Sequence, residues 1–243
     1  MAGMGEGETS SGIRENLLSC RKCSRLVGFR ESCALRVPPR FREEVARHGF
    51  WARPVPAFGD PNAFLAIVGL APAAFGANRT GRMFTGDRSG DFLYAALHRF
   101  GLASQGESRH RDDGLALFGV FITAALRCAP PKNRPLPAEL AACRPFLQAD
   151  LANLSRLRVI LALGAIAHEA VLAAWPGGCP RPKPKFGHGR EHLLAGGVVL
   201  LDSYHVSQQN TFTGRLTAAA FDTILARCLQ LAGEESHHGA SRR

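Results

Sequence analysis

Four short apolar runs, each followed by a turn or loop and then a helical pattern, constrain this chain more than any other feature. They are residues 63–70 (AFLAIVGL), 117–123 (LFGVFIT), 158–164 (RVILALG) and 197–202 (GVVLLD). Runs of this length without polar alternation mark strands covered on both faces, the habit of a parallel sheet. Between and after them lie helical stripes. Phe92, Leu93, Ala96, Leu97 and Phe100 fall on one face at helical spacing. Pro137 stands in the first turn of a second helix, a third runs from Ala165 to about Ala174, and a last one from Leu216 to Leu231. Shorter helices are expected at Ile13–Ser19 and Arg42–His48. The alternation predicts α/β architecture: a three-layer α/β/α sandwich around a central four-stranded parallel sheet. Right-handed crossovers then bring the strand-end loops to one edge.

Those loops carry the chemistry. The first, after Gly69, contains Asn78, Arg79, Thr80, Arg82, Phe84, Thr85 and Asp87. Its glycines, Gly76, Gly81 and Gly86, fit neither the dinucleotide fingerprint nor a P-loop, so a nucleotide cofactor is not expected. The second loop, RCAPPKNRP (127–135), is stiff and cationic, with Lys132, Asn133 and Arg134 at its tip. The third, SYHVSQQNTFTGR (203–215), delivers His205. An aromatic can stack on a base, an asparagine can read its edge, and a histidine can donate to a carbonyl gaining negative charge. A carboxylate such as Asp87 can position water or support a cationic sugar. For Phe84 the plainer alternative is a core ring, for Asp87 a helix N-cap, and for Asn133 a turn residue.

Charge narrows the partner. Thirty Lys and Arg, nearly all Arg, face twenty Asp and Glu, giving a net charge of +10. Such an excess favours a polyanion, nucleic acid first. No stretch approaches the apolar length of a membrane span. The start, MAGMGEGETSSG, lacks the basic and apolar regions of a signal peptide. Residues 1–12 are expected to be a disordered lead-in, 13–232 a single domain and 233–243 a disordered tail. Without an export signal, the seven cysteines are expected to be thiols or metal ligands. Cys20-Arg21-Lys22-Cys23 is a metal or cluster half-site in search of two further ligands.

GLAPAAFGANRTGRMFTGD (69–87), RCAPPKNRP and SYHVSQQNTFTGRLT resemble the three active-site motifs of the family 5 (type B) uracil-DNA glycosylases. The likeness extends from Cys20 to the last helix. It implies a hydrolase that excises uracil from double-stranded DNA by base flipping, cytoplasmic, nucleoid-associated and prokaryotic; the absence of lysine from the first and third loops makes it an expected monofunctional enzyme, and a monomer is expected. Within it Cys20, Cys23, Cys128 and Cys143 match four ligands of a structural 4Fe–4S cluster; a structural zinc fits the count equally well and is disfavoured by the resemblance alone. Phe84 matches the aromatic that stacks on the flipped base, with Gly69 and Ala71 lining the same turn. Asp87 matches a carboxylate that handles water, and His205 the histidine beside the base O2. Ala124 stands where other branches carry a base-reading asparagine, so Asn133 is expected to take that role. Asn78 and Arg79 are expected to face the phosphates or the base, and Arg82, Lys132 and Arg134 the DNA. Ser207, Gln208, Gln209, Asn210 and Arg215 line the expected DNA-inserting loop. Two departures stand out. Val206 replaces the usual proline after His205, which would loosen the loop, and Phe75 stands where a histidine is expected. A pocket without a strict uracil-reading asparagine is expected to accept hypoxanthine, hydroxymethyluracil or ethenocytosine as well. The alternative within the superfamily is a non-catalytic or covalently trapping uracil-DNA binder.

Overall fold

The computed structural model describes residues 16–234. The start of the helix expected from Ile13, the lead-in and nearly all of the tail lie outside them.

The elements in chain order are α1 (Ser24–Ala34), α2 (Arg42–His48), β1 (Phe58–Gly59), β2 (Leu65–Gly69), α3 (Ala77–Thr80), α4 (Arg88–Arg99), β3 (Val120–Ala124), α5 (Pro137–Ala152), β4 (Val159–Leu163), α6 (Ala165–Ala174), β5 (Glu191–Leu193), β6 (Val199–Ser203), α7 (Gln208–Phe212) and α8 (Ala218–Ala232). The sheet has six strands in the order β1-β3-β2-β4-β6-β5. Its four inner strands are parallel, in register Leu65↔Val120, Leu65↔Val159 and Val159↔Val199. They are the four apolar runs of the sequence.

The expected four-stranded parallel sheet is present, and one short antiparallel strand extends it at each edge, β1 on β3 and β5 on β6. Neither carries an apolar run. Phe58–Gly59 is two residues long and Glu191–Leu193 is largely polar, so each exists through its pairing rather than through its own pattern. Helix α1 also lacks a signal, since its sequence SRLVGFRESCA has almost no apolar asymmetry.

Side chains alternate across the pleat, and the core divides accordingly. Leu65, Ile67, Val120, Ile122, Val159, Leu161 and Leu201 pack with α4 and α8 residues such as Leu93, Leu97, Phe221 and Leu225. Ala66, Val68, Ile160, Ala162 and Leu200 pack on the opposite face with Leu147 and Leu151 of α5 and Val171 and Leu172 of α6. Two cores on one sheet make the three layers. All four inner strands end on the same edge, where residues 70–87, 125–135, 164 and 204–215 emerge.

Candidate active site at the sheet edge

Gly69 ends β2, and the ring of Phe84 rests directly on it. A Cβ at position 69 would come within 2.7 Å of Phe84 Cζ, so only glycine leaves room for the ring. Phe84 itself adopts φ +52, a left-handed conformation that β-carbon sterics disfavour. Such strain persists when the surroundings fix it and is concentrated at functional sites. The ring is half-buried, with its centroid 6.2 Å from that of His205 and the planes tilted by 31°.

His205 leaves the end of β6. Burial pushes its pKa down to about 4, which makes it a neutral imidazole at neutral pH. Its backbone is clasped from ahead: Asn210 Nδ2 donates to the His205 carbonyl at 2.7 Å. Val206 is buried in the core beside Met83 and Leu216. The loop therefore has two tethers that do not depend on a proline, and the looseness expected of Val206 is offset.

Asp87 is the N-cap of α4. Its Oδ1 accepts from the backbone N–H of Ser89 at 2.9 Å and of Gly90 at 3.0 Å, while the rest of the carboxylate lies against Gly76, where any Cβ would collide with it. Burial raises its pKa, opposed by those two N–H groups. The capping alternative is thus realised, and it coexists with a desolvated carboxylate at the mouth of the same loop. Asn133 and Lys132 both sit at φ +54 on the exposed turn Pro131–Asn133, with Arg134 exposed beside them. Ala71 is half-buried next to β2's end. Gln208, Gln209 and Arg215 are exposed and Ser207 half-buried, and Arg215 lies 4.3 Å above the Tyr204 ring.

Three residues expected at the DNA or base are buried, and a fourth is bonded within its own loop. Asn78 is fully buried, and its Nδ2 donates to the carbonyls of Arg30 and Ala74. Arg79 is buried against Glu44, donates to the carbonyls of Phe75 and Gly86, and lies over the Phe41 ring. Arg82 is buried and forks onto Asp113 at 2.8 and 2.6 Å, with Ser108 and Thr85 completing its bonds. Asn210 spends its amide on His205 rather than on the solvent side. Asn78, Arg79 and Arg82 are turned inward and brace the loops, while Asn210 is half-buried. Asp113 was missed by sequence reasoning because it lies in the charged stretch QGESRHRDDG, where one acid looks like another. Phe75 stacks with Phe41 and edges onto Phe50, a hydrophobic use of that position.

A second site lies under the turn after β3. Cys20, Cys23, Cys128 and Cys143 line one cavity together with Leu126, Arg127 and Phe146. Arg30 donates from Nη1 to Cys128 Sγ at 2.9 Å and from Nη2 to the Cys20 carbonyl. Arg30 Nε and Arg127 Nε and Nη1 are buried without a hydrogen-bond partner among the described residues, although Arg127 Nη2 pairs with Asp150. Guanidinium N–H donors left unmatched beside four cysteines suit an anionic guest, because a buried donor without an acceptor is costly. Burial raises the Cys128 thiol and pushes Cys143 up to about 12, the thiol values of a desolvated donor set. A third cluster, His168, His192 and Asp202, lies beneath β6.

The fold and this edge define a class, and comparison places the chain within it. The family model described as "Uracil DNA glycosylase superfamily" matches residues 56–228. The chain is 52% identical over 219 residues to the type-5 uracil-DNA glycosylase of Thermus thermophilus, covering 90% of this chain and 96% of that protein. It is 51% identical to that of Mycobacterium tuberculosis (89% of this chain, 79% of that one) and 44% identical to that of Pyrobaculum aerophilum (89% and 91%). The chain belongs to the type-5 uracil-DNA glycosylases of the uracil-DNA glycosylase superfamily.

Proposed function

We propose that the protein is a DNA-repair hydrolase that removes uracil from DNA by cleaving its N-glycosidic bond, and that the strand-end edge is where it does so. Membership of the type-5 family supports the activity. The observation that supports the location is Phe84: a strained aromatic seated on a glycine, 6.2 Å from a desolvated neutral histidine. Base excision from a duplex requires the nucleotide to be turned out of the stack into such a slot.

In the hydrolysis the C1′–N1 bond breaks with its electron pair passing to the base, water delivers a hydroxyl to C1′, and the remaining proton of the water ends on the departed base anion. Two charges develop, negative on the departing uracil and positive on the sugar. His205, held neutral by burial, donates an N–H to the uracil O2 as that oxygen gains charge. Asp87, a desolvated carboxylate, orients the water or supports the cationic sugar. Asn133 reads the base edge from the exposed turn, and Gly69 and Ala71 form the wall beneath it. Lys132, Arg134, Ser207, Gln208, Gln209 and Arg215 contact the duplex and fill the gap. With Ala124 in the sheet and no asparagine fixed there, the pocket also admits hypoxanthine and other deaminated or damaged bases. Neither the 71–87 loop nor the 203–215 loop contains a lysine, so the abasic product is not cleaved further. The protein works as a monomer where cellular DNA lies.

Cys20, Cys23, Cys128 and Cys143 hold a 4Fe–4S cluster, for which the unmatched donors of Arg30 and Arg127 offer complementary charge. The group would bind the segment before α1 to the turn after β3 and supply no chemistry to hydrolysis. Iron and sulfide at four atoms each per chain, with no zinc, is the expected content; stoichiometric zinc would contradict it.

The activity is tested by free-base release from duplexes carrying U·G, U·A and hypoxanthine·T. Release of uracil with an intact abasic strand supports the reading. A denaturation-resistant protein–DNA band with no free base would establish the trapping alternative.

A further inference from the structure

The segment 180–190 reads PRPKPKFGHGR: four cations, no acid and three prolines. Arg181, Lys185 and Arg190 are exposed, and Lys183 pairs with Glu169 of α6. The prolines restrict φ along its first half, so the cations are presented on a stiff backbone at a low ordering cost. Nothing in the catalytic edge described above uses them.

What fixes this segment is unusual. Asp202 of β6 is completely buried, and so is His168 of α6. Asp202 Oδ1 meets His168 Nδ1 at 2.8 Å, and its Oδ2 meets His192 Nε2 at 3.2 Å and accepts from Gly187 N–H at 3.1 Å. His168 Nε2 lies 3.2 Å from the Pro184 carbonyl. Backbone bonds from Gly189 N to the Asp202 carbonyl and from Asp202 N to the Arg190 carbonyl complete the attachment. Burying a carboxylate and an imidazole together is costly unless each is fully bonded, and here two of the bonds go to the segment itself. The far end reaches the active edge. His188 stacks on Tyr204 at 4.7 Å with the planes 5° apart, and its Nδ1 accepts from the Tyr204 N–H. Tyr204 immediately precedes His205.

We propose that residues 181–190 form a stiff cationic arm, latched to the sheet by Asp202 and His168, that grips the phosphate backbone of duplex DNA beside the His205 loop. The nature of the partner rests on the uracil-DNA reading; the arm's position and charge do not. Its contacts are to phosphate rather than to bases, since point charges on a backbone of this kind carry no base-edge pattern.

The test is the salt dependence of binding to a U·G duplex, read by fluorescence anisotropy between 50 and 200 mM salt, roughly the range over which counterion release is expressed. Each phosphate that is no longer neutralised reduces the slope of log K against log salt by about 0.9. The double variant K185A/R190A is expected to lower the slope by about 1.8, whereas the charge-keeping K185R/R190K retains it. Arg156, an exposed arginine before β4 at the opposite edge, serves as control, and R156A leaves the slope unchanged. A K185A/R190A slope equal to that of the wild type would overturn the arm. Because binding is measured and not turnover, a wild-type protein that binds but releases no base would count against the glycosylase reading alone, and the slopes would still decide for or against the arm.

Discussion

At the residue scale the site depends on groups whose charge is set by burial. His205 shows the sign most clearly. Its folded pKa lies near 4, below the ordinary value of 6.5, so between those values the unfolded chain binds the extra proton. This residue's contribution to stability is therefore full above pH 6.5, declines as pH falls from there toward 4, and changes no further below. Comparing urea unfolding of wild type and H205Q across that window is expected to show the wild type gaining stability relative to H205Q as pH rises from 4 to 6.5. Base release should not depend on His205 ionisation from pH 5.5 upward and should fall through about pH 4. Gly69 supplies a second residue-scale test. A methyl at this position would push into the Phe84 ring, so G69A is expected to slow base release at least tenfold while the protein stays folded, as judged by circular dichroism.

At the scale of elements, burial rather than residue type separates binding groups from braces. Arg82 looks like a DNA contact in the sequence, yet it forks onto Asp113, whose side chain is 15% exposed. Burial raises the Asp113 carboxyl, but the Arg82 hydrogen bonds and three backbone N–H groups outweigh it and hold the pKa at about 2. That pair contributes stability above the ordinary carboxylate pKa and loses it as pH falls from about 4 to about 2. R82M leaves Asp113 unpaired and is expected to cost about 3–5 kcal/mol in denaturant unfolding. The salt slope of DNA binding should not change, which a phosphate contact could not satisfy. The sequence could not reveal this, because Arg82 and Asp113 are 31 positions apart and meet only once the loop closes. The same holds for Asn78 and Arg79, whose partners Arg30 and Glu44 come from α1 and α2. By contrast the placing of Phe84, Asp87 and His205 at one edge was legible, since strand ends on a parallel sheet must share one edge.

Across the whole molecule, the four inner strands and their helices follow from apolar runs that have no other stable use. The edge strands and α1 do not, because pairing and packing create them where the local pattern is mute. The N-terminal segment is bound to the rest by Arg25, which forks onto Glu139 of α5 at 2.7 Å, and by the cavity shared among Cys20, Cys23, Cys128 and Cys143. C143A is expected to abolish the visible absorbance of the proposed cluster and to lower the melting temperature. Oxidants and reductants that spare the cluster are expected to leave the rate of base release unchanged.

Asp87 is proposed to act on the reaction through its charge, beyond capping α4. Asparagine caps helices about as well as aspartate but cannot carry that charge. The measurement is single-turnover uracil release from a U·G duplex by wild type, D87N and D87A, with unfolding stability followed alongside. The expected result is that D87N retains wild-type stability and is slowed at least a hundredfold, close to D87A. A D87N rate equal to that of the wild type would reduce Asp87 to a cap and place the chemistry elsewhere on the edge.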